Sequence, residues 1–212
     1  PMGRVARPLR EMGASISADN APLSVNGGGL RGSEHHLPVA SAQVKAALLL
    51  AALHADGPTT IHQPAPSRDH SERMLRELGI DVRSSANAVR LHPSRRPLPP
   101  TRLTVPGDFS SAAFLIAAAV LLPGSAVRLR GVGVNPTRTG LLDALNAMGA
   151  DISIENQRES GGEPVADITA RHSRLRAVEV RGDLVVRMID EFPIFAVMAT
   201  QAEGVTTVSD AA

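Results

Sequence analysis

The chain has no cysteine, no tryptophan, no tyrosine and a single lysine, Lys45, in 212 residues. Without cysteine there is no disulfide, no thiolate metal site and no thiol nucleophile. Aromatics make up 2% of the chain, too few for the stacking platforms on which single-stranded nucleic acid is held. Charge of one sign is also lacking. The net charge is +1, and the longest basic run is Arg95-Arg96, so neither a nucleic-acid patch nor a steering field is expected. No apolar run approaches the ~20 residues that span a bilayer, and no signal peptide is visible, which points to a soluble, cytoplasmic protein. The seven histidines show no metal-ligand spacing, and His35-His36 reads as a loop pair. What is abundant is aliphatic: 43% of residues are hydrophobic, so the core is built from Leu, Val, Ile, Ala and Met.

Two patterns recur. "VARPLREMGASI" (5–16), "SERMLRELGIDV" (71–82) and "GLLDALNAMGADI" (140–152) each place apolar residues at helical spacing, then a glycine, then a β-type pair. This is an amphipathic helix ended by a left-handed glycine and followed by a strand. The glycines, Gly13, Gly79 and Gly149, stand 66 and 70 residues apart. The second pattern is "SAQVKAALLLAALHADGPTTI" (41–61), "SSAAFLIAAAVLLPGSAVRL" (110–129) and "EFPIFAVMATQAEGVTTV" (191–208). Each begins polar, runs apolar on every face, breaks at Gly57, Gly124 or Gly204, and continues as a strand. A helix apolar all round is expected to be buried all round. Strand signals lie at 87–93, 102–108, 165–170 and 177–182, and 93–101 and 156–164 read as Pro- or Gly-rich loops. The fold class is α/β, with sheets outside and buried parallel helices inside.

Parallel buried helices open their N-termini on one side, where free N–H groups and the helix dipole favour anions. Ser41-Ala42-Gln43, Asp108 with Ser110-Ser111, and Asp190-Glu191 stand at those ends. Ser and Asp are also the preferred N-caps and would stand there with no ligand. Gln43 and Lys45 at the start of an apolar helix demand partners; Lys45 has no assigned role at this level. Near "PSRDHSERML" (66–75), Ser67 or Asp69 is a candidate N-cap, and Arg68 either faces solvent or, with Ser67, an anion. The Gly-x-Gly of "RGVGVNPTRTG" (130–140) lacks its third glycine, and Asn135 as N-cap with Pro136 at the first helical position explains it structurally.

"PLREMGA", "LPVASAQVKAALLLAAL", "SRDHSERMLRELG", "VPGDFSSAAFLIAAA", "NPTRTGLLDAL" and "MIDEFPIFAVMA" together resemble the 5-enolpyruvylshikimate-3-phosphate synthase family, in its bacterial glyphosate-tolerant class. The resemblance implies two domains of βαβαββ units. Residues 1–104 would be the rear of the first and 105–212 the opening of the second. It implies transfer of the enolpyruvyl group of phosphoenolpyruvate to the 5-hydroxyl of shikimate 3-phosphate, with release of phosphate and with no metal or organic cofactor. Ser41, Ala42 and Gln43 match the motif that holds shikimate 3-phosphate, and Ser67 and Arg68 a second segment that closes on it. Asp190 matches the carboxylate proposed to take the proton of the attacking hydroxyl. The partners implied are these two substrates, without nucleic acid or membrane, and the full-length enzyme would be a monomer. Most of the phosphoenolpyruvate site would lie outside this stretch, which reads as a fragment without turnover of its own. The sister enzyme acting on UDP-N-acetylglucosamine shares the fold, but "ASAQVK" and "SRDHSE" favour the shikimate enzyme. A non-catalytic repeat scaffold would need no polar groups beyond its caps.

Overall fold

The computed structural model describes residues 1–94 and 96–211; Arg95, half of the expected basic pair, lies outside them. The helix–glycine–strand pattern forms three times with one geometry. Helices α1 (Gly3–Glu11), α3 (His70–Glu77) and α5 (Gly140–Ala147) lead into Gly13, Gly79 and Gly149, whose φ angles are +106°, +81° and +85°. At each end the glycine N–H bonds three residues back, and the next N–H bonds five residues back: Ala14 to Leu9, Ile80 to Leu75 and Ala150 to Leu145, at 2.9–3.0 Å. This is the Schellman closure, which a Cβ in the left-handed region would strain.

The chain divides into two compact units, Pro1–Arg102 and Leu103–Ala212. In the first, α1 leads into the hairpin of β1 (Ser15–Ile16) and β2 (Val25–Asn26). There follow β3 (Glu34–His36), α2 (Ala42–Ala52), β4 (Thr59–His62), α3, β5 (Asp81–Ser84) and β6 (Ala88–His92). That is one complete βαβαββ unit, with sheet order β3-β4-β6-β5. β3 and β4 run parallel, as a helical crossover requires, and the other pairs are antiparallel.

The second unit repeats the order. An isolated parallel bridge of Gly107 to Val132 stands in for the first strand. It is followed by α4 (Phe109–Leu121), β7 (Ala126–Gly133), α5, β8 (Asp151–Ser160) and β9 (Glu163–Arg171), with sheet order β7-β9-β8. β10 (Glu179–Val180), α6 (Asp183–Arg187), α7 (Phe192–Ala199) and β11 (Thr207–Val208) begin a further unit, with β10 parallel to β11.

Four expectations are corrected. The apolar helices are not buried on every side: Leu50 of α2, Phe114 and Leu115 of α4 and Val197 of α7 are each about half exposed. The sheet covers one side only. Leu48 and Leu49, fully buried, contribute on the order of 1.5–3 kcal/mol each, and Leu50 far less. Residues 156–164 are the end of a long hairpin rather than a loop, because Gly161-Gly162, at φ +61° and +79°, forms the two-residue turn that suits strand twist. Of 102–108 only Gly107 pairs. Asn135 caps no helix: α5 starts at Gly140, and buried Asn135 Oδ1 accepts from the N–H and hydroxyl of Thr137 in a local turn.

One carboxylate pins the second sheet. Asp167 on β9 accepts from Asn156 Nδ2 (3.1 Å), the Gly131 N–H (3.0 Å) and Arg128 Nη2 (3.3 Å). Asn156 and Gly131 are the positive-φ residues at the two places where the ladder slips, in β8 and in β7. The Asn156 hydrogen bond foremost, then that of Gly131, holds the Asp167 pKa down to about 2. A lowered carboxylate pKa stabilises the fold above the unfolded value of about 3.9, and that stability is lost as pH falls toward 2. Asp167→Ala should therefore lower the melting temperature at pH 7 and abolish this part of the acid sensitivity between pH 4 and pH 2. Parallel pH profiles for variant and native chain would refute the assignment.

Candidate functional site

Helix α2 begins where Ser41, extended, accepts a hydrogen bond from the Val44 N–H (3.4 Å). Capping uses an oxygen lone pair and leaves the hydroxyl proton for donation outward. Ser41 and Ala42 are half-buried and Gln43 is exposed, so the first turn is reachable from solvent. Beside it lies a pocket of about 420 Å³, lined among others by Arg4, Arg7, Glu11, His36, Ser41 and Val44. Two guanidinium groups and a helix N-terminus make that pocket hospitable to an anion.

Ser67 and Arg68 sit between β4 and α3, in the same unit, both half-buried. The Ser67 hydroxyl donates to Oε1 of buried Gln63 (2.7 Å), and the Gln63 N–H bonds the Asn87 carbonyl (2.8 Å). Asp69 stands at the N-cap position of α3 but accepts no capping bond; its carboxylate pairs with Arg73 instead (2.9 Å).

Lys45 joins the two segments. Its side chain is 2% exposed, and Nζ lies 2.6 Å from Oε1 of Glu72, itself 2% exposed. Nζ also donates to the Ser67 carbonyl (3.3 Å). Glu72 Oε2 has no hydrogen-bond partner among the described residues.

Asp190 belongs to the second unit, in a short 3-10 turn, Ile189–Glu191, that precedes α7. Its side chain is 47% exposed and lies 3.2 Å from Arg138 Nη1. Asp190 caps no helix; the N-cap position of α7 falls to Glu191, which makes no capping bond. Glu191 is fully buried and accepts from Arg138 Nη1 (2.9 Å) and from the Ser110 hydroxyl (2.5 Å), while Arg138 Nη2 donates to Ser110. Asp108 does cap α4, accepting from the Ser111 N–H (2.8 Å). The Ser111 hydroxyl on Asp108 is the main cause of its lowered pKa.

The structure thus brings Ser41, Ala42 and Gln43 together with Ser67 and Arg68 in one unit, and places Asp190 in the other. Sequence reading missed Glu72, Gln63, Arg138 and the burial of Glu191. The partners of Glu72, Arg138 and Glu191 lie 27 to 81 residues away along the chain, beyond any local pattern.

His35 and His36 form β3 rather than a loop. Buried His35 bonds Ser33 Oγ (2.8 Å) and Glu11 (3.2 Å), and His36 stacks on His62 across the parallel pair at 4.5 Å. Glu34, His36 and His62 bring three ligand atoms within 4.8 Å of one another. None is buried, and Glu34 Oε1 already holds His62 Nε2 at 2.8 Å, so carboxylate and imidazoles satisfy one another. Among the described residues no helix is long and apolar enough to cross a membrane.

The chain is 52% identical to 3-phosphoshikimate 1-carboxyvinyltransferase of Geotalea daltonii and 54% identical to that of Geobacillus kaustophilus. All of this chain aligns with half of each relative, so it spans about half their length. The EPSP synthase of Acinetobacter baumannii superposes with a TM-score of 0.89 at 46% identity, over 98% of this chain and 48% of that one. The enolpyruvyl transferase NikO of Streptomyces tendae, at 20% identity and a TM-score of 0.75 over 98% of this chain and 51% of its own, shares the fold. The family model described as EPSP synthase (3-phosphoshikimate 1-carboxyvinyltransferase) matches residues 1–212, end to end, and the chain belongs to that family.

Proposed function

We propose that this chain supplies the shikimate 3-phosphate-holding part of an enolpyruvyl transferase. The observation that carries this reading is the meeting, through Lys45, of the α2 N-terminus with the Ser67–Arg68 segment inside one unit. On this reading the Ser41 hydroxyl and the first N–H groups of α2 take the phosphate, with Arg4 and Arg7 supplying positive field beside them. Gln43 addresses the ring hydroxyls, and Ser67 exchanges its bond to Gln63 for one to the ligand. Residues 1–104 and 105–212 are then parts of the two domains of a cytoplasmic, monomeric enzyme.

In the reaction the 5-hydroxyl oxygen of shikimate 3-phosphate bonds to C2 of phosphoenolpyruvate as a proton adds to its methylene carbon. The C2–O bond to phosphate then breaks, a methyl proton is lost, and the enolpyruvyl ether is left. Asp190 is the group in this chain suited to take the hydroxyl proton, being exposed and held by Arg138 at 3.2 Å. Phosphoenolpyruvate is the second substrate.

Calorimetry with shikimate 3-phosphate tests the reading. The native chain should bind it, and Gln43→Ala or Arg68→Ala should weaken binding at least about tenfold, the loss expected when a charged or polar contact to ligand is removed. Binding of UDP-N-acetylglucosamine in its place would assign the chain to the sister chemistry. Indifference to both substitutions would favour a scaffold.

A further inference from the structure

We propose that Lys45 is a positioning residue that locks the segment 63–69 against the first turn of α2. The inference rests on the proposed binding of shikimate 3-phosphate, and extends it to a residue that touches no ligand.

A lysine in the first turn of a helix is opposed by the helix dipole, and burial removes its hydration. Lys45 stands there nevertheless, 2% exposed, as the only lysine of the chain. Its charge is met by Glu72, in the first turn of α3, where a carboxylate is favoured. The pair therefore spans the N-termini of two helices, α2 and α3. One candidate ligand segment, Ser41–Gln43, forms the cap and start of α2, and the other, Ser67–Arg68, precedes α3. A buried pair contributes little net stability compared with apolar side chains of the same volume, so stability does not account for it.

The third contact does. Nζ donates to the carbonyl of Ser67 itself (3.3 Å). Between β4 and α3 the backbone passes Pro64 and Pro66 and makes no ladder, and both this bond and the Ser67–Gln63 bond hold Ser67 directly. Remove the ammonium, and the segment keeps its ends but loses this tie to α2. Ligand binding must then order it, and affinity falls accordingly.

The test is the apolar double variant Lys45→Met/Glu72→Met, which leaves no charge at this site. It should keep its circular dichroism and melting temperature. Hydrogen exchange at the amides of residues 65 and 67–69 should accelerate at least about tenfold, with 75–78 at the end of α3 unchanged. Affinity for shikimate 3-phosphate should drop about tenfold. Exchange in 65–69 matching the native chain overturns the proposal, as does a double variant that fails to fold, because the pair would then serve the core and not the segment. If the native chain does not bind shikimate 3-phosphate, the functional reading fails while the exchange comparison still decides the positioning role.

Discussion

Arg138→Met should destabilise the second unit by about 3–5 kcal/mol, the loss expected when one partner of a buried ion pair is removed. Glu191 has a side-chain exposure of 0% and Arg138 of 13%, so solvent cannot replace the lost guanidinium. The Ser110 hydroxyl alone would remain on a buried carboxylate. Adding Glu191→Leu should restore most of the loss, because an apolar pair needs no compensation. Denaturant titration followed by circular dichroism reads both, since the chain has no Trp or Tyr to report by fluorescence. A loss below about 1 kcal/mol for Arg138→Met would mean that the cluster behaves as a screened surface pair. The same substitution removes the cation beside Asp190, so the stability core of this unit and the candidate proton acceptor share one arginine.

Gly32→Ala should be the most damaging single methyl in the first unit. A Cβ there would lie 2.5 Å from the Pro58 carbonyl oxygen and closer still to the Gly57 carbonyl group, all of it backbone. Backbone cannot rotate away as a side chain can, so β3 and the approach to β4 must separate. The Gly32 N–H would also leave Asp56 Oδ1, which holds it at 3.0 Å. We expect a loss above about 3 kcal/mol, in the range reserved for strain and broken packing. Gly57→Ala is the matched control: its Cβ would meet only Gly32 Cα, at 4.0 Å, and should change stability by no more than about 0.5 kcal/mol. Equal effects at the two positions would show that the close approach is not what matters.

Much of the architecture was legible because it is periodic and local. Leu9, Leu75 and Leu145 precede their glycines by the same four residues, and the three Schellman closures follow. What was not legible depends on partners far apart in the chain. Gly161-Gly162 looks like any loop until the ten residues before it pair with the nine after it. The α2, α4 and α7 helices look buried on all sides because hydropathy counts apolar residues but not the layers available to cover them. At the candidate site, Ser41 could be read as a cap or as a ligand contact; the structure adds that capping leaves its proton available. The tie from Lys45 to Glu72 and Ser67 has no sequence signature, since its partners stand 27 and 22 residues away.

That buried ammonium also decides how the chain meets amine chemistry. With its only lysine sealed between α2 and α3, the folded surface offers no lysine side chain to acylating reagents, to aldehydes or to enzymes that modify lysine. Modification at Lys45 therefore requires that the first unit open, and the fraction modified over time is a direct clock of that opening.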